Sequence, residues 1–147
     1  MTFLLDVNVL IALMDPLHVR HESALSWFST VGRHSWATCP MTENGLLRIV
    51  GHPSYPNWFG GPPLVAEVFS KFLRHPGHIF WHDDISLLDR EKVDVSRLSS
   101  AGQVTDSYLL ALAIAHGGHL ASLDRRLVTD AVRNGAQGLH LIGPGAE

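Results

Sequence analysis

The fold prediction starts from residues 3–8, Phe3-Leu4-Leu5-Asp6-Val7-Asn8, an apolar run that stops at a carboxylate. Three apolar residues that end at an acid are typical of a short buried strand. The apolar stretch around Val9 to Met14 predicts a short helix, which Pro16 ends. This order of strand, acid and helix recurs along the chain, so the sequence predicts an α/β protein with a central, mainly parallel sheet.

The other elements follow from the same periodicities. They predict helices over 19–31, 40–50, 64–74, 105–116 and near 126–133, and strands over 35–38, 78–82, 119–123 and 139–142. Residues 51–63 are too rich in Gly and Pro for regular structure and too aromatic for an inert linker, because they include Tyr55, Trp58 and Phe59. We favour a packing or partner-contact role for these aromatics over stacking on unpaired nucleic-acid bases.

Length and composition describe one domain over residues 1–147. Of the 147 residues, 46% are hydrophobic and 17% are charged, which is typical of a folded globular protein. The formal net charge of −3 argues against a surface that coats nucleic acid, so any nucleic-acid contact must be local. The sequence predicts no membrane span and no export signal, and the single cysteine, Cys39, fits a reducing cytosol.

Four acids are expected at one edge of the sheet. Asp6 and Asp124 directly follow predicted strands, and Glu43 opens the helix after the second strand. The carboxyl ends of parallel strands meet at one edge, where ligands of such sheets bind. A helix from Asp106 to His116 and the strand that returns from it both span about 16 Å, so Asp124 should return close to Asp106.

Such a cluster predicts a metal site. Close pairs of ionised carboxylates repel by about 4 kcal/mol each, and a divalent cation removes that repulsion. Oxygen ligands favour Mg²⁺ or Mn²⁺ over Zn²⁺. Taken singly, Asp106 and Glu43 are also ordinary residues for the first turn of a helix, so the prediction rests on the set.

Four short motifs in this order resemble the PIN domain, and specifically the VapC toxins of type II toxin–antitoxin modules. They are Leu5-Asp6-Val7-Asn8, Thr42-Glu43, Thr105-Asp106 and Ser122-Leu123-Asp124, and residues 18–27 resemble a stretch common in the actinobacterial branch. The resemblance implies a parallel-sheet α/β/α sandwich and a Mg²⁺- or Mn²⁺-dependent endoribonuclease that inhibits translation by cutting structured RNA, tRNA or rRNA. It also implies a cytoplasmic homodimer, a VapB-like antitoxin that covers the active site, and a larger toxin–antitoxin assembly.

The resemblance also implies residue roles. Asp6, Glu43 and Asp106 would hold the principal ion, and Asp124 would complete the pocket and orient the attacking water. Asn8 and Ser122 would position these ligands without binding the ion themselves. Some relatives carry a further acid after the fourth, where this chain has Arg125-Arg126-Leu127, and that leaves a second metal ion open.

The RNA contacts are expected at Arg48, Arg125 and Arg126, which lie within one or two helical turns of the acids. An equally open interpretation is that these arginines are solvated or pair with the acids.

Several alternatives remain. The main one is a catalytically inert PIN-like regulator that binds RNA or protein. A phosphoacceptor receiver lacks a well-placed lysine, and a dehalogenase-type phosphatase would want an acid where Asn8 stands. Ten histidines include metal-like spacings at 18 and 21 and at 75, 78 and 82, but surface histidines are the favoured interpretation, and Cys39 is expected to be a small buried residue.

Overall fold

The computed structural model describes residues 1–143 and contains a five-stranded sheet in which every pairing is parallel. The strands are β1 (Phe3–Leu5), β2 (Trp36–Thr38), β3 (His78–Phe80), β4 (His119–Ser122) and β5 (Leu139–Leu141), in the order β3-β2-β1-β4-β5. Phe3 pairs with Trp36 on one side and with His119 on the other. The predicted α/β class is confirmed, and β1 is the central strand.

Six helices connect and flank the strands within residues 1–143. They are α1 (Val7–Met14), α2 (His21–Thr30), α3 (Pro40–Val50), α4 (Pro62–Phe72), α5 (Ala101–Ala115) and the single turn α6 (Gly135–Gly138). Two further 3₁₀ turns lie at Gly32–His34 and Val95–Arg97.

The alternating side chains of the strands divide the interior into two layers. Phe3, Leu5 and Ala121 pack under helices α1 to α4, whereas Leu4 and Leu120 pack under α5 and the segments that follow β3 and β4. All five side chains are buried. Because both faces of the sheet are covered, the carboxyl edge of the strands is where polar side chains can gather.

Several elements differ from the sequence prediction: the strands after β1 are one or two residues shorter, and α4 spans Pro62–Phe72 rather than 64–74. Helix α5 starts at Ala101 rather than 105, because Ser100 caps it by accepting a hydrogen bond from the Gln103 amide at 3.3 Å. Asp106 therefore lies in the second turn of α5 and not at its start. Helix α2 begins at His21 rather than 19, since the Arg20 amide donates to His18 Nδ1 at 3.0 Å and forms a turn there.

The helix predicted near 126–133 is wrong. The Asp124 carboxylate accepts a hydrogen bond from the Arg126 amide at 2.9 Å, a local turn that competes with helix formation. Further on, Val132 forms an antiparallel bridge with Val93, and the Asp94 amide donates to the Ala131 carbonyl at 2.8 Å. These contacts hold the segment against residues 93–94, and within residues 1–143 the helix that follows it is α6.

Candidate active site

The Ser122 hydroxyl at the end of β4 is the centre of a hydrogen-bond network that holds Asp6. It donates to Asp6 Oδ2 at 2.8 Å and accepts from the Asp124 amide and from Asn8 Nδ2, both at 3.1 Å. One donated and two accepted bonds use the full capacity of a hydroxyl. Ser122 is completely buried, so the hydroxyl that links the ends of β1 and β4 is itself out of contact with water.

Asn8 is the second support of this network. Its amide oxygen accepts from the Leu123 amide at 3.1 Å, while its amide nitrogen reaches Asp6 Oδ2 at 3.4 Å besides Ser122. Asp6 itself caps α1, because its Oδ1 accepts from the Val7 amide at 2.7 Å. The Asp6 carboxylate is therefore fixed in orientation by groups at the start of α1 and at the end of β4.

Burial and repulsion between carboxylates perturb the site strongly. Asp6 is only 6% exposed, and this burial raises its pKa to about 6, with further increases from Asp106 and Asp124. The hydrogen bonds from Ser122 and Val7 oppose that increase. Burial and the nearby Asp124 charge also raise the pKa of Asp106. Asp6, Asp106 and Asp124 thus lie within electrostatic range of one another, although 118 positions separate the first from the last.

Glu43 takes part in a different set of contacts at the same edge. It lies in the first turn of α3, and its Oε2 accepts from the Thr38 hydroxyl at 2.7 Å. Thr38 Oγ1 is also 2.7 Å from His78 Nε2. Since the Thr38 proton is used on Glu43, His78 must donate its Nε2 proton to Thr38. Burial lowers the pKa of His78, although the Glu43 charge opposes that shift.

The carboxylates do not form a ready-made coordination shell. Within residues 1–143, no group of three or more His, Cys, Asp or Glu side chains is arranged to hold a metal ion. The same finding covers the histidine spacings that resembled zinc sites. His21 Nδ1, for example, lies 2.7 Å from the Ala12 carbonyl oxygen and His75 Nδ1 lies 3.0 Å from the Phe72 carbonyl oxygen.

The three arginines predicted to contact RNA lie in two places. Arg125 and Arg126 line a cavity of about 370 Å³ together with Asn8 and Asp124. Arg48, in the last turn of α3, lines a separate cavity of about 340 Å³ with His52 and Tyr55. Only the first of these cavities includes a residue of the carboxylate cluster.

Two sets of residues near the site were not predicted to act there. Thr38 contacts Glu43 and His78 contacts Thr38, while His18 and Arg20 line the cavity beside Asp124. A signal for Thr38 was available: like Ser122, it is a hydroxyl residue at the carboxyl end of a buried strand. His18 and Arg20 carry no such signal, because they come from a loop whose position depends on packing.

The loop over residues 51–61 is anchored by a buried acid that the sequence did not indicate. Asp15, which is 2% exposed, accepts a hydrogen bond from the Tyr55 hydroxyl and another from Asn57 Nδ2 at 2.8 Å. Tyr55 therefore has a packing role, as favoured above. Trp58 donates to the Gly51 carbonyl at 3.2 Å, although 47% of the residue is exposed.

Comparisons with known proteins decide the family. No family model matches the chain. Ribonuclease VapC44 of Mycobacterium tuberculosis is 43% identical over 144 residues, which cover 96% of this chain and 98% of that protein. Ribonucleases VapC39 and VapC38 of the same organism are 40% and 36% identical, over 89% and 86% of this chain.

The chain belongs to the VapC family. The resemblance inferred from four short motifs is thereby confirmed, and the five-stranded parallel sheet agrees with the PIN-domain fold expected of a VapC toxin. No helix in the described part of the chain is long and apolar enough to cross a membrane.

Proposed function

We propose that this protein is a Mg²⁺- or Mn²⁺-dependent endoribonuclease, the toxin of a type II toxin–antitoxin module. The carrying observation is the gathering of Asp6, Asp106 and Asp124 at one sheet edge, where burial and mutual repulsion raise carboxylate pKa values. Perturbed groups of this kind concentrate at functional sites. The names of the relatives, all ribonucleases, support the same reaction class.

The donor chemistry of the site fits a hard divalent cation. Carboxylate oxygens are the ligands such cations prefer, and a bound cation would offset the burial and the smaller carboxylate repulsion that together raise the pKa of Asp6. Because no three candidate ligands among residues 1–143 stand in coordinating positions, ion binding would draw the carboxylates closer together. Asp6, Glu43 and Asp106 would hold the ion, with Asp124 completing the pocket.

The chain's own groups then have distinct tasks in phosphodiester hydrolysis. The ion, when bound, lowers the pKa of a water molecule and stabilises the leaving oxygen. Asp124 accepts a hydrogen bond from the attacking water and orients it toward the phosphate. Ser122 and Asn8 keep Asp6 in one orientation, and Thr38 does the same for Glu43. Arg48, Arg125 and Arg126 contact the RNA backbone.

The remaining parts of the proposal follow from family membership. We propose that residues 1–147 form a single PIN domain that acts as a cytoplasmic homodimer and is inhibited by a VapB-like antitoxin, with which it forms a larger assembly. The substrate class is structured RNA, tRNA or rRNA, and its cleavage inhibits translation. An inert PIN-like regulator is disfavoured because such a protein has no use for a buried Asp6 beside two further carboxylates that repel it.

The test compares the wild type with Asp6→Asn and with Asp130→Asn, which alters an exposed acid. After brief induction in cells, new RNA 5′ ends should appear with the wild type and Asp130→Asn but not with Asp6→Asn. In vitro, excess EDTA should abolish cleavage, and Mn²⁺ titrated by calorimetry should bind the wild type more tightly than Asp6→Asn. Cleavage that persists in EDTA would contradict the metal-dependent mechanism.

A further inference from the structure

The cavity beside Asp124 joins two segments that are far apart in sequence. Its volume is about 370 Å³, and its lining combines Asn8, Asp124, Arg125 and Arg126 with His18 and Arg20 from the loop between α1 and α2. Asn8 and Asp124 also belong to the network around Asp6. The cavity therefore opens directly beside the carboxylate cluster.

The charge of this cavity is opposite to that of the protein as a whole. Three arginines and one carboxylate line it, whereas the chain carries a formal net charge of −3. The Asp124 carboxylate already accepts the Arg126 amide at 2.9 Å. Guanidinium groups suit phosphate because their N–H donors match two of its oxygens at once.

The loop that contributes His18 and Arg20 is held in place. The buried Asp15 accepts the Leu17 amide at 2.9 Å through its side chain, and its carbonyl accepts the His18 amide at 3.0 Å. The Arg20 amide then donates to His18 Nδ1 at 3.0 Å. Because Nδ1 accepts this bond, the proton of the neutral imidazole is on Nε2, and the ring carries an N–H donor as well.

The volume of the cavity is sufficient for part of a nucleotide. Pockets for small ligands range from about 300 to 1,000 Å³, so the cavity is large enough for a phosphate with part of its sugar. A phosphodiester chain that crosses the carboxylate cluster would bring its neighbouring phosphate to such a place.

We propose that this cavity binds the RNA phosphate next to the one that is cut, with Arg20, Arg125 and Arg126 as its ligands and His18 as an additional donor. This proposal rests on the ribonuclease function proposed above. It gives the RNA a fixed register on the protein, since phosphate contacts position a nucleic acid without reading its sequence. It also adds two residues, His18 and Arg20, to the arginines inferred from sequence.

The test measures RNA binding rather than cleavage. A fluorescein-labelled single-stranded RNA of mixed sequence is titrated with the wild type in EDTA at several salt concentrations, and then with Arg20→Gln, Arg125→Gln and Arg126→Gln. Each lost phosphate contact should weaken binding severalfold at low salt and reduce the slope of log K against log salt by about 0.7. The matched control is Arg133→Gln, an exposed arginine in a different cavity, which should leave the slope unchanged.

Each outcome has a defined meaning. If Arg20→Gln fails to fold, the exposed Arg126 still tests the proposal. If all folded cavity variants show the same salt slope as the wild type, the phosphate site is overturned. Polyglutamate, an anionic polymer without phosphate, is titrated as a second probe. If the arginine variants lose more affinity for polyglutamate than for RNA, the phosphate site is overturned as well. Cleavage of the same RNA with Mn²⁺ is measured separately. Wild-type cleavage with unchanged slopes rejects the phosphate site alone, and reduced slopes without cleavage reject the nuclease function alone.

Discussion

Replacement of Asp6 by Asn should stabilise the metal-free protein at neutral pH, although Asp6 lies at the centre of the site. The pKa of Asp6 is raised to about 6 from 3.8, chiefly by burial. The native state therefore binds more protons than the unfolded chain between these values, and stability falls as pH rises through them. Ionised Asp6 thus costs about 3 kcal/mol of unfolding free energy at about pH 7.5 but only about 1 kcal/mol at about pH 4.5.

Asn cannot ionise, so Asp6→Asn lacks this pH dependence. Its amide oxygen can still accept the Val7 amide, while its amide nitrogen loses the bond donated by Ser122, at a cost of about 1 kcal/mol. Asp6→Asn should therefore be about 2 kcal/mol more stable than the wild type at about pH 7.5 and about equal to it at about pH 4.5. For a chain of this size the first difference corresponds to roughly 4–8 °C in Tm.

The assay is urea unfolding in EDTA, followed by the fluorescence of the four tryptophans, for the wild type, Asp6→Asn and the control Asp130→Asn. The decisive quantity is how the difference in unfolding free energy between the wild type and Asp6→Asn changes with pH, because the lost hydrogen bond contributes equally at both pH values. If the wild type and Asp6→Asn show parallel stability profiles between about pH 4.5 and pH 7.5, Asp6 is not perturbed by burial and the reasoning is refuted.

Three further predictions concern residues around the site. Thr38→Val should weaken Mn²⁺ binding measured by calorimetry, because Glu43 loses the hydroxyl that orients it, whereas Thr38→Ser should restore binding; equal affinities would contradict the orienting role. Asp15→Ala should cost about 2 kcal/mol of unfolding free energy near neutral pH, since it removes charge-assisted hydrogen bonds from Tyr55 and its neighbours. These bonds hold the pKa of Asp15 below its usual value despite burial, so their contribution to stability should fade in acid. Urea unfolding that is unchanged by the mutation would count against the anchoring role of Asp15. Cys39 should resist alkylation in the native protein and react only on unfolding, because burial raises the pKa of its thiol to about 11; rapid labelling followed by mass spectrometry would show that the thiol is accessible.

Local sequence patterns predicted the elements that position the site. The predicted bounds of two elements, α3 (Pro40 to Val50) and β1 (Phe3 to Leu5), agree with the structure. Strong local signals delimit both: a proline at the start of α3, a glycine directly after its end, and an acid directly after β1. The helix expected over 126–133 failed because long-range contacts, including the bridge from Val132 to Val93, override local periodicity there.

The sequence by itself determined the alternation of strands and helices, and with it the edge at which Asp6, Ser122 and Asp124 must emerge. Strand direction and side-chain alternation are local properties, so they are encoded in neighbouring residues. Only the tertiary structure decided that Ser122 joins Asp6 to Asn8, that the pKa of Asp6 reaches about 6, and that Arg20 faces the same cavity as Arg126. Those features depend on burial and on distances between segments more than 100 residues apart, and packing of the whole chain sets both.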